Sequence, residues 1–378
     1  MHPVPLSQIE TPAVLVDRDR LLRNIDRVQA LANRYGVALR PHVKTHKCLE
    51  IARMQLERGA AGVTASKADE ALVFIEAGVP SVTVAYPLVE EAKVRRLLAA
   101  AQACGTDLRV TVDSRLAVEV LARVASELRA IVGTFVEIDV GLRRCGLREN
   151  DPEIVELARF IGSSEGLRFA GLLSHAGHAY GAASTDEVAQ IAAEECRILQ
   201  PVRLTLEAAG IEVAEVSVGS TPTVLASEGY DGITEIRPGN YVFMDRTPLR
   251  LALASMEEIA LTVLATVVSR NDDYCIIDAG SKVLTSDLGA HGTAGDGGYG
   301  VACALGESLA TGTGLTIARL SEEHGFSPRA EGDLPVGAKV RIVPNHACPI
   351  VNLAEEVVVV SAGSEVDRWR VAARGRVL

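Results

Sequence analysis

Basic charge is in deficit in this 378-residue chain, long apolar runs are missing, and the cysteines form no framework. Asp and Glu number 49 against 38 Lys and Arg, a formal net charge of −11, and such a surface attracts neither nucleic acid nor anionic membranes. No apolar run approaches the roughly 20 residues of a membrane-spanning helix. Met1-His2-Pro3-Val4-Pro5 carries no basic region leading into an apolar stretch, so no secretory leader is expected. Seven cysteines, an odd number without framework spacing, exclude a disulfide scaffold and indicate reduced thiols in a cytoplasm. No glycine-rich dinucleotide loop follows an early strand, which disfavours an open doubly wound sheet. What remains is ordinary for a soluble globular enzyme, 48% apolar and 23% charged, long enough for two domains.

The chain alternates short apolar strands with amphipathic helices. Leu21, Leu22, Ile25, Val28 and Leu31 recur at helical spacing between Asp19 and Ala32. Strands are read at Gly36–Arg40, Gly62–Thr64, Ser81–Ala85, Leu108–Val112, Gly133–Asp139, Phe169–Ser174, Glu215–Val218 and Glu235–Arg237. Helices are read at Lys67–Ala77, Glu91–Ala103, Ser114–Ser126, Pro152–Ser163 and Thr185–Ala209. About eight βα units in some 230 residues fit a (β/α)8 TIM barrel. After Asp245 the texture becomes β-rich, with runs at 261–269, 274–278, 314–319, 339–344 and 355–361, and Trp369–Ala373 closing the chain. The expected architecture is an α/β chain with a barrel over 19–247 and a β-domain over 1–18 and 248–378. The glycine-dense stretch Ala290–Gly300 reads as a mobile loop. Cys104, Cys196, Cys275 and Cys303 fall on periodic elements and read as small core residues.

Chemistry-bearing residues cluster where barrel strands end. Lys44 follows Pro41 at the end of the first such strand, in Arg40-Pro41-His42-Val43-Lys44-Thr45-His46-Lys47. A lysine there points into the barrel mouth, and burial with Arg40, Lys47 and the histidines nearby would lower its pKa and favour Schiff-base chemistry. The plain alternative is a basic surface turn. Gly219-Ser220-Thr221-Pro222 and Arg237-Pro238-Gly239-Asn240 follow the last two strands, the usual phosphate site of barrel enzymes, although either loop alone reads as an ordinary turn. Arg143 and Arg144 follow another strand, and either one can face a cofactor ring or simply be solvated. His175 and His178 lack an evident third ligand nearby. Pro344-Asn345-His346-Ala347-Cys348-Pro349 puts an imidazole and a thiolate on one side of the chain, a pair suited to a divalent ion, zinc first, with manganese and cobalt as the other candidates.

Pro41-His42-Val43-Lys44-Thr45-His46-Lys47 resembles the pyridoxal 5'-phosphate lysine motif of the D-serine dehydratase/D-threonine aldolase family, of alanine-racemase-like fold, and the resemblance runs from about Thr11 to the C-terminus. It implies that Lys44 holds the cofactor, that Thr221, Gly239 and Asn240 contact its phosphate, and that Arg144 and Tyr180 flank it. It also implies that His346 and Cys348 bind the metal, as in the dehydratase branch, where the aldolases more often carry His-x-Asp. Leu173 stands where D-serine dehydratases of this pattern have a tyrosine. The implied activity is dehydration of a D-β-hydroxy-α-amino acid, such as D-serine or D-threo-3-hydroxyaspartate, to a 2-oxo acid and ammonia, by a cytoplasmic homodimer. The alternatives are a D-threonine-type aldolase, a racemase and a non-catalytic cofactor carrier.

Overall fold

The computed structural model describes residues 4–290, 297–310, 312 and 314–378, so the expected mobile loop falls largely, at 291–296, outside the described residues. The chain divides into two compact units, one of Val28–Lys44, Ile51–Gly239 and Arg376–Leu378, the other of Met1–Arg27, Thr45–Glu50 and Asn240–Gly375. The first α-helix, Arg18–Tyr35, buries Leu21, Ile25, Val28 and Ala32 completely, one apolar stripe at the spacing read from the sequence.

The first unit is built on a parallel eight-stranded sheet. Its strands are Ala38–Leu39, Val63–Ala65, Ser81–Val84, Asp107–Val112, Val132–Ile138, Leu167–Ser174, Glu215–Val218 and Glu235–Ile236. From Val63–Ala65 onward each pairs with the next in sequence, and the last, Glu235–Ile236, pairs with the first, Ala38–Leu39. Closure is completed by Ala61 N–H donating to Leu39 O and Thr64 N–H to Pro41 O, both at 2.8 Å, and by a bridge between His42 and Thr64. This is the (β/α)8 barrel expected from the repeat. Gly171, at φ +142°, sits where an added Cβ would meet the Glu215 carbonyl oxygen at 1.8 Å, so the two strands approach only because no side chain intervenes.

The barrel interior is partly ionic rather than filled by branched aliphatics throughout. Arg40 is 2% exposed, and its Nε donates to Glu235 Oε2 at 2.6 Å and its Nη1 to Ser81 Oγ at 2.8 Å. Ser217 Oγ donates to Glu235 Oε1 at 2.6 Å, and Arg237 Nη1 donates to Ser217 Oγ at 2.6 Å. Arg40 therefore spends its charge on a buried carboxylate inside the barrel, where a buried pair must be geometrically complete to offset its desolvation.

The second unit is an eleven-stranded, mainly antiparallel sheet. The strand Ala13–Asp17 pairs antiparallel with Leu261–Arg270 and parallel with Glu356–Ser361. Leu6, Ile9, Leu15, Leu264, Val358 and Val360 form a core against it. Gly300–Ala304 and Gly325–Pro328 are strands that the sequence did not announce, and the single run read at 314–319 corresponds to two short strands, Leu315–Thr316 and Arg319–Leu320. Cys275 and Cys303 are buried as expected, whereas Cys104 is exposed and Cys196 half-buried. Among the described residues no helix is long and apolar enough to cross a membrane.

Candidate active site

A cavity of about 340 Å³ opens in the barrel unit, of the size that takes small ligands and cofactors. Lys44 lines it from the 3-10 turn Val43–Thr45, and its N–H donates to His42 Nδ1 at 3.4 Å. Desolvation, then the charges of Lys44, Arg237, His175 and Arg144, holds the His42 imidazole well below its usual 6.5. It is neutral at physiological pH. The cations that share the cavity with Lys44 are thus Arg144 and Arg237, not Arg40.

The loops after the last two strands reach the cavity through Gly219 and Arg237. Gly219 has φ +115°, and a Cβ there would meet Val224 Cγ2 at 3.1 Å and the Arg237 nitrogen at 3.4 Å, so the backbone turns close to its neighbours. His175 Nδ1 lies 3.1 Å from Gly219 O, and His42 N–H donates to Pro238 O at 2.9 Å. Thr221 is fully buried at the start of the helix Thr221–Ala226, behind a capping box made with Ser220 and Thr223. Gly239 is buried beside Pro238. Of the two arginines, Arg144 lines the cavity, while exposed Arg143 turns away at φ +56° with its N–H donating to Asp139 Oδ1 at 2.9 Å. Tyr180 is buried in the turn Gly177–Gly181. Thr221, Gly239 and Tyr180 are absent from the cavity wall among the described residues. The wall also contains Ser66, Tyr86, Glu137 and Cys145, which sequence reasoning passed over. Glu137 had a signal: it is a lone acid on the all-buried strand Val132–Ile138.

In the sheet unit, His346 caps the helix Ala347–Leu353, and Cys348 lies in its first turn. The Asp287 carboxylate sits 3.0 Å from His346 Nδ1, leaving Nε2 as the ring atom for an ion, the usual support of a metal-bound imidazole. Burial alone would depress His346, but the adjacent Cys348 sulfur and the Asp245 and Asp287 carboxylates push it up to about 9. Buried Asp245 accepts from Ala347 N at 3.0 Å, Asn240 Nδ2 at 2.8 Å and Thr247 N at 3.0 Å, fixing the loop that carries the pair. Asn240 is itself buried, and its Oδ1 has no hydrogen-bond partner among the described residues. Thr45 Oγ1 lies 3.2 Å from Cys348 Sγ. Among the described residues no group of three or more His, Cys, Asp or Glu gathers as a candidate metal site.

A closed parallel barrel with a strand-end lysine, in a chain that also carries an antiparallel β-unit, defines the alanine-racemase-like class of pyridoxal-phosphate enzymes. The chain belongs to the family described as alanine racemase, N-terminal domain, whose model matches residues 16–247, and a putative serine dehydratase domain follows at 260–360. It is 35% identical to D-threo-3-hydroxyaspartate dehydratase of Delftia sp. strain HT23 across 96% of this chain and 97% of that one. It is 32% identical to D-threonine aldolase of Arthrobacter sp. across 98% and 94%. The solved structure of the Delftia dehydratase superposes with a TM-score of 0.90 at 33% identity, covering 97% of this chain and 98% of that one. Two further structures named D-threo-3-hydroxyaspartate dehydratase carry alanine in place of a histidine and of a cysteine two positions later, and the cysteine variant is described as the metal-free form. The relatives are lyases, dehydratases and aldolases acting on D-amino acids.

Proposed function

We propose that the protein is a pyridoxal-phosphate- and metal-dependent dehydratase of D-β-hydroxy-α-amino acids, of the D-threo-3-hydroxyaspartate or D-serine type. The observation that carries this reading is the His346/Cys348 pair. It keeps the cysteine of the dehydratase branch, and two structures named D-threo-3-hydroxyaspartate dehydratase have a histidine and a cysteine replaced at the same spacing. The cavity supports a cofactor by its size, its cations and its strand-end amine.

Bound pyridoxal phosphate supplies an electron sink for the charge left at the substrate Cα, and a bound divalent ion supplies a Lewis acid for the β-hydroxyl. Lys44 Nζ is assigned to hold the cofactor and then, once free, to take the Cα proton. Arg144 is assigned to the cofactor ring and Tyr180 to its surroundings. Thr221, Gly239 and Asn240 are assigned to the phosphate, supported by the position of the two loops after the last barrel strands. Neutral His42 meets Lys44 without adding charge. His346 and Cys348 are assigned to the metal, for which an imidazole and a thiolate favour zinc over manganese or cobalt. The overall reaction would convert the D-β-hydroxy-α-amino acid to a 2-oxo acid and ammonia. The reading takes 19–247 as the cofactor-binding barrel and 1–18 with 248–378 as the metal-bearing β-domain, in a cytoplasmic homodimer.

Incubation with D-serine, D-threonine and D-threo-3-hydroxyaspartate tests the reaction type. A 2-oxo acid with ammonia is the expected product, and glycine with an aldehyde would assign the chain to the aldolases instead.

A further inference from the structure

Glu137 is the one acidic residue in the wall of the Lys44 cavity among the described residues, and the proposed reaction gives it no part. It is 3% exposed, near the end of the strand Val132–Ile138, in register with Leu173 of the neighbouring strand. Phe135, two residues back on the same face, packs with Ala170 and Leu173 in a buried apolar cluster. The carboxyl is therefore withdrawn from water, between this apolar cluster and the polar wall of the cavity. Its Oε2 has no hydrogen-bond partner among the described residues. Such an atom is costly to bury unless a ligand or a neighbour uses it.

The loop beyond the strand folds back onto this carboxyl. Leu147 N–H donates to Glu137 O and Asp139 N–H to Leu147 O, both at 2.9 Å, and Gly146 N–H donates to Asp113 Oδ2 at 3.0 Å. Asp139 Oδ1 accepts from Gly141 N at 3.0 Å as well as from Arg143 N. Held in this way, the loop brings Cys145 Sγ to 3.2 Å and Arg144 Nη2 to 3.8 Å from Glu137 Oε1. The Arg144 side chain is 45% exposed, and its ion-pair partner among the described residues is Glu137. An exposed arginine loses little by wandering, whereas a buried carboxylate gives it a reason to stay at the wall.

We propose that Glu137 is a positioning residue, whose carboxyl keeps the Arg144 guanidinium at the cavity wall and through it sets the charge felt by the group bound at Lys44. This rests on the cofactor reading of Lys44 and Arg144 given above. The balance at Glu137 is between burial, which raises its pKa together with Asp113, and the Cys145 thiol, Arg144 and Arg237, which lower it, with burial prevailing. Lys44, His42 and His175 face the same space. Of the two arginines near this carboxyl, Arg144 is the exposed one, held to it at 3.8 Å.

The test is a pH titration of the visible absorbance of the cofactor-loaded protein, compared among the unaltered chain, Glu137→Gln, Arg144→Gln and the double variant. Each single variant is expected to move the midpoint by about half a pH unit or more, and the double variant no further than the larger single one, because the pair acts as a unit. Glu137→Asp keeps the charge but draws it back by one methylene, and should move the midpoint in the same direction by less. It also serves if the Gln variant does not fold. An unshifted midpoint in Glu137→Gln or, failing that, in Glu137→Asp would overturn the proposal, and so would additive shifts. Lys44→Ala separates the two readings. Loss of the visible band in Lys44→Ala with an unshifted Glu137→Gln sinks only the role of Glu137, whereas a band surviving in Lys44→Ala sinks the cofactor assignment itself.

Discussion

His42 stays neutral inside the folded cavity because burial and the charges of Lys44, Arg237, His175 and Arg144 all oppose its protonation. In the unfolded chain it titrates at its ordinary 6.5. Above that value neither state is protonated there and the group contributes nothing to pH dependence. As the pH falls through 6.5 the unfolded state binds the proton and the folded state does not, so stability is lost by about 1.4 kcal/mol per pH unit until the folded imidazole titrates. His42→Gln should remove that part of the acid sensitivity. Denaturant unfolding at pH 7 and pH 5 checks this, and equal losses in both proteins would contradict it. At this scale the sequence disclosed residue types better than their partners. Lys44 and the His346/Cys348 pair stood out because each follows a strand in a recognisable pattern. Arg40 looked like an electrostatic neighbour of Lys44, yet its partner Glu235 is 195 positions away, and no local pattern reveals a buried pairing of that range.

Strand positions and the longer helices in the barrel followed from alternation and helical spacing, because a repeated βα unit states its period many times over, whereas the short helices Leu49–Glu57 and Thr221–Ala226 were not read. In the sheet unit the reading was thinner. Arg319–Leu320 spans two residues, and Gly300–Ala304 is mostly small residues, so neither offers a period to detect. The close approach of Leu167–Ser174 to Glu215–Val218 was equally hidden, since it depends on the missing side chain of Gly171 and not on any side chain present. Gly171→Ala should force the two strands apart against their backbone bonds and cost on the order of 3 kcal/mol. A thermal melt shows it directly. A variant as stable as the parent would mean that the strands give way easily at that point.

Taken as a molecule, the chain assigns its two expected chemical tasks to different compact units: Lys44 belongs to one, His346 and Cys348 to the other. The tasks should therefore fail separately. Chelation is expected to stop turnover while the visible band of the cofactor persists, and Lys44→Ala to abolish the band while zinc still binds with stoichiometry near one. Full turnover after metal stripping would contradict the assignment of His346 and Cys348. The seam of the barrel bears on how the molecule comes into being. Ala38–Leu39 meets Glu235–Ile236 across almost the whole length of the barrel segment, through strands of only two residues each. Pairings so distant in sequence carry a large loop-closure cost and are rewarded late. Lys44 and Arg237 lie just beyond these two strands, so the cavity they share exists only once the ring has closed. A chain still emerging from the ribosome, or one stalled short of closure, has the lysine without the cavity around it, and a cofactor held by Lys44, as proposed, would be captured only after the ring closes.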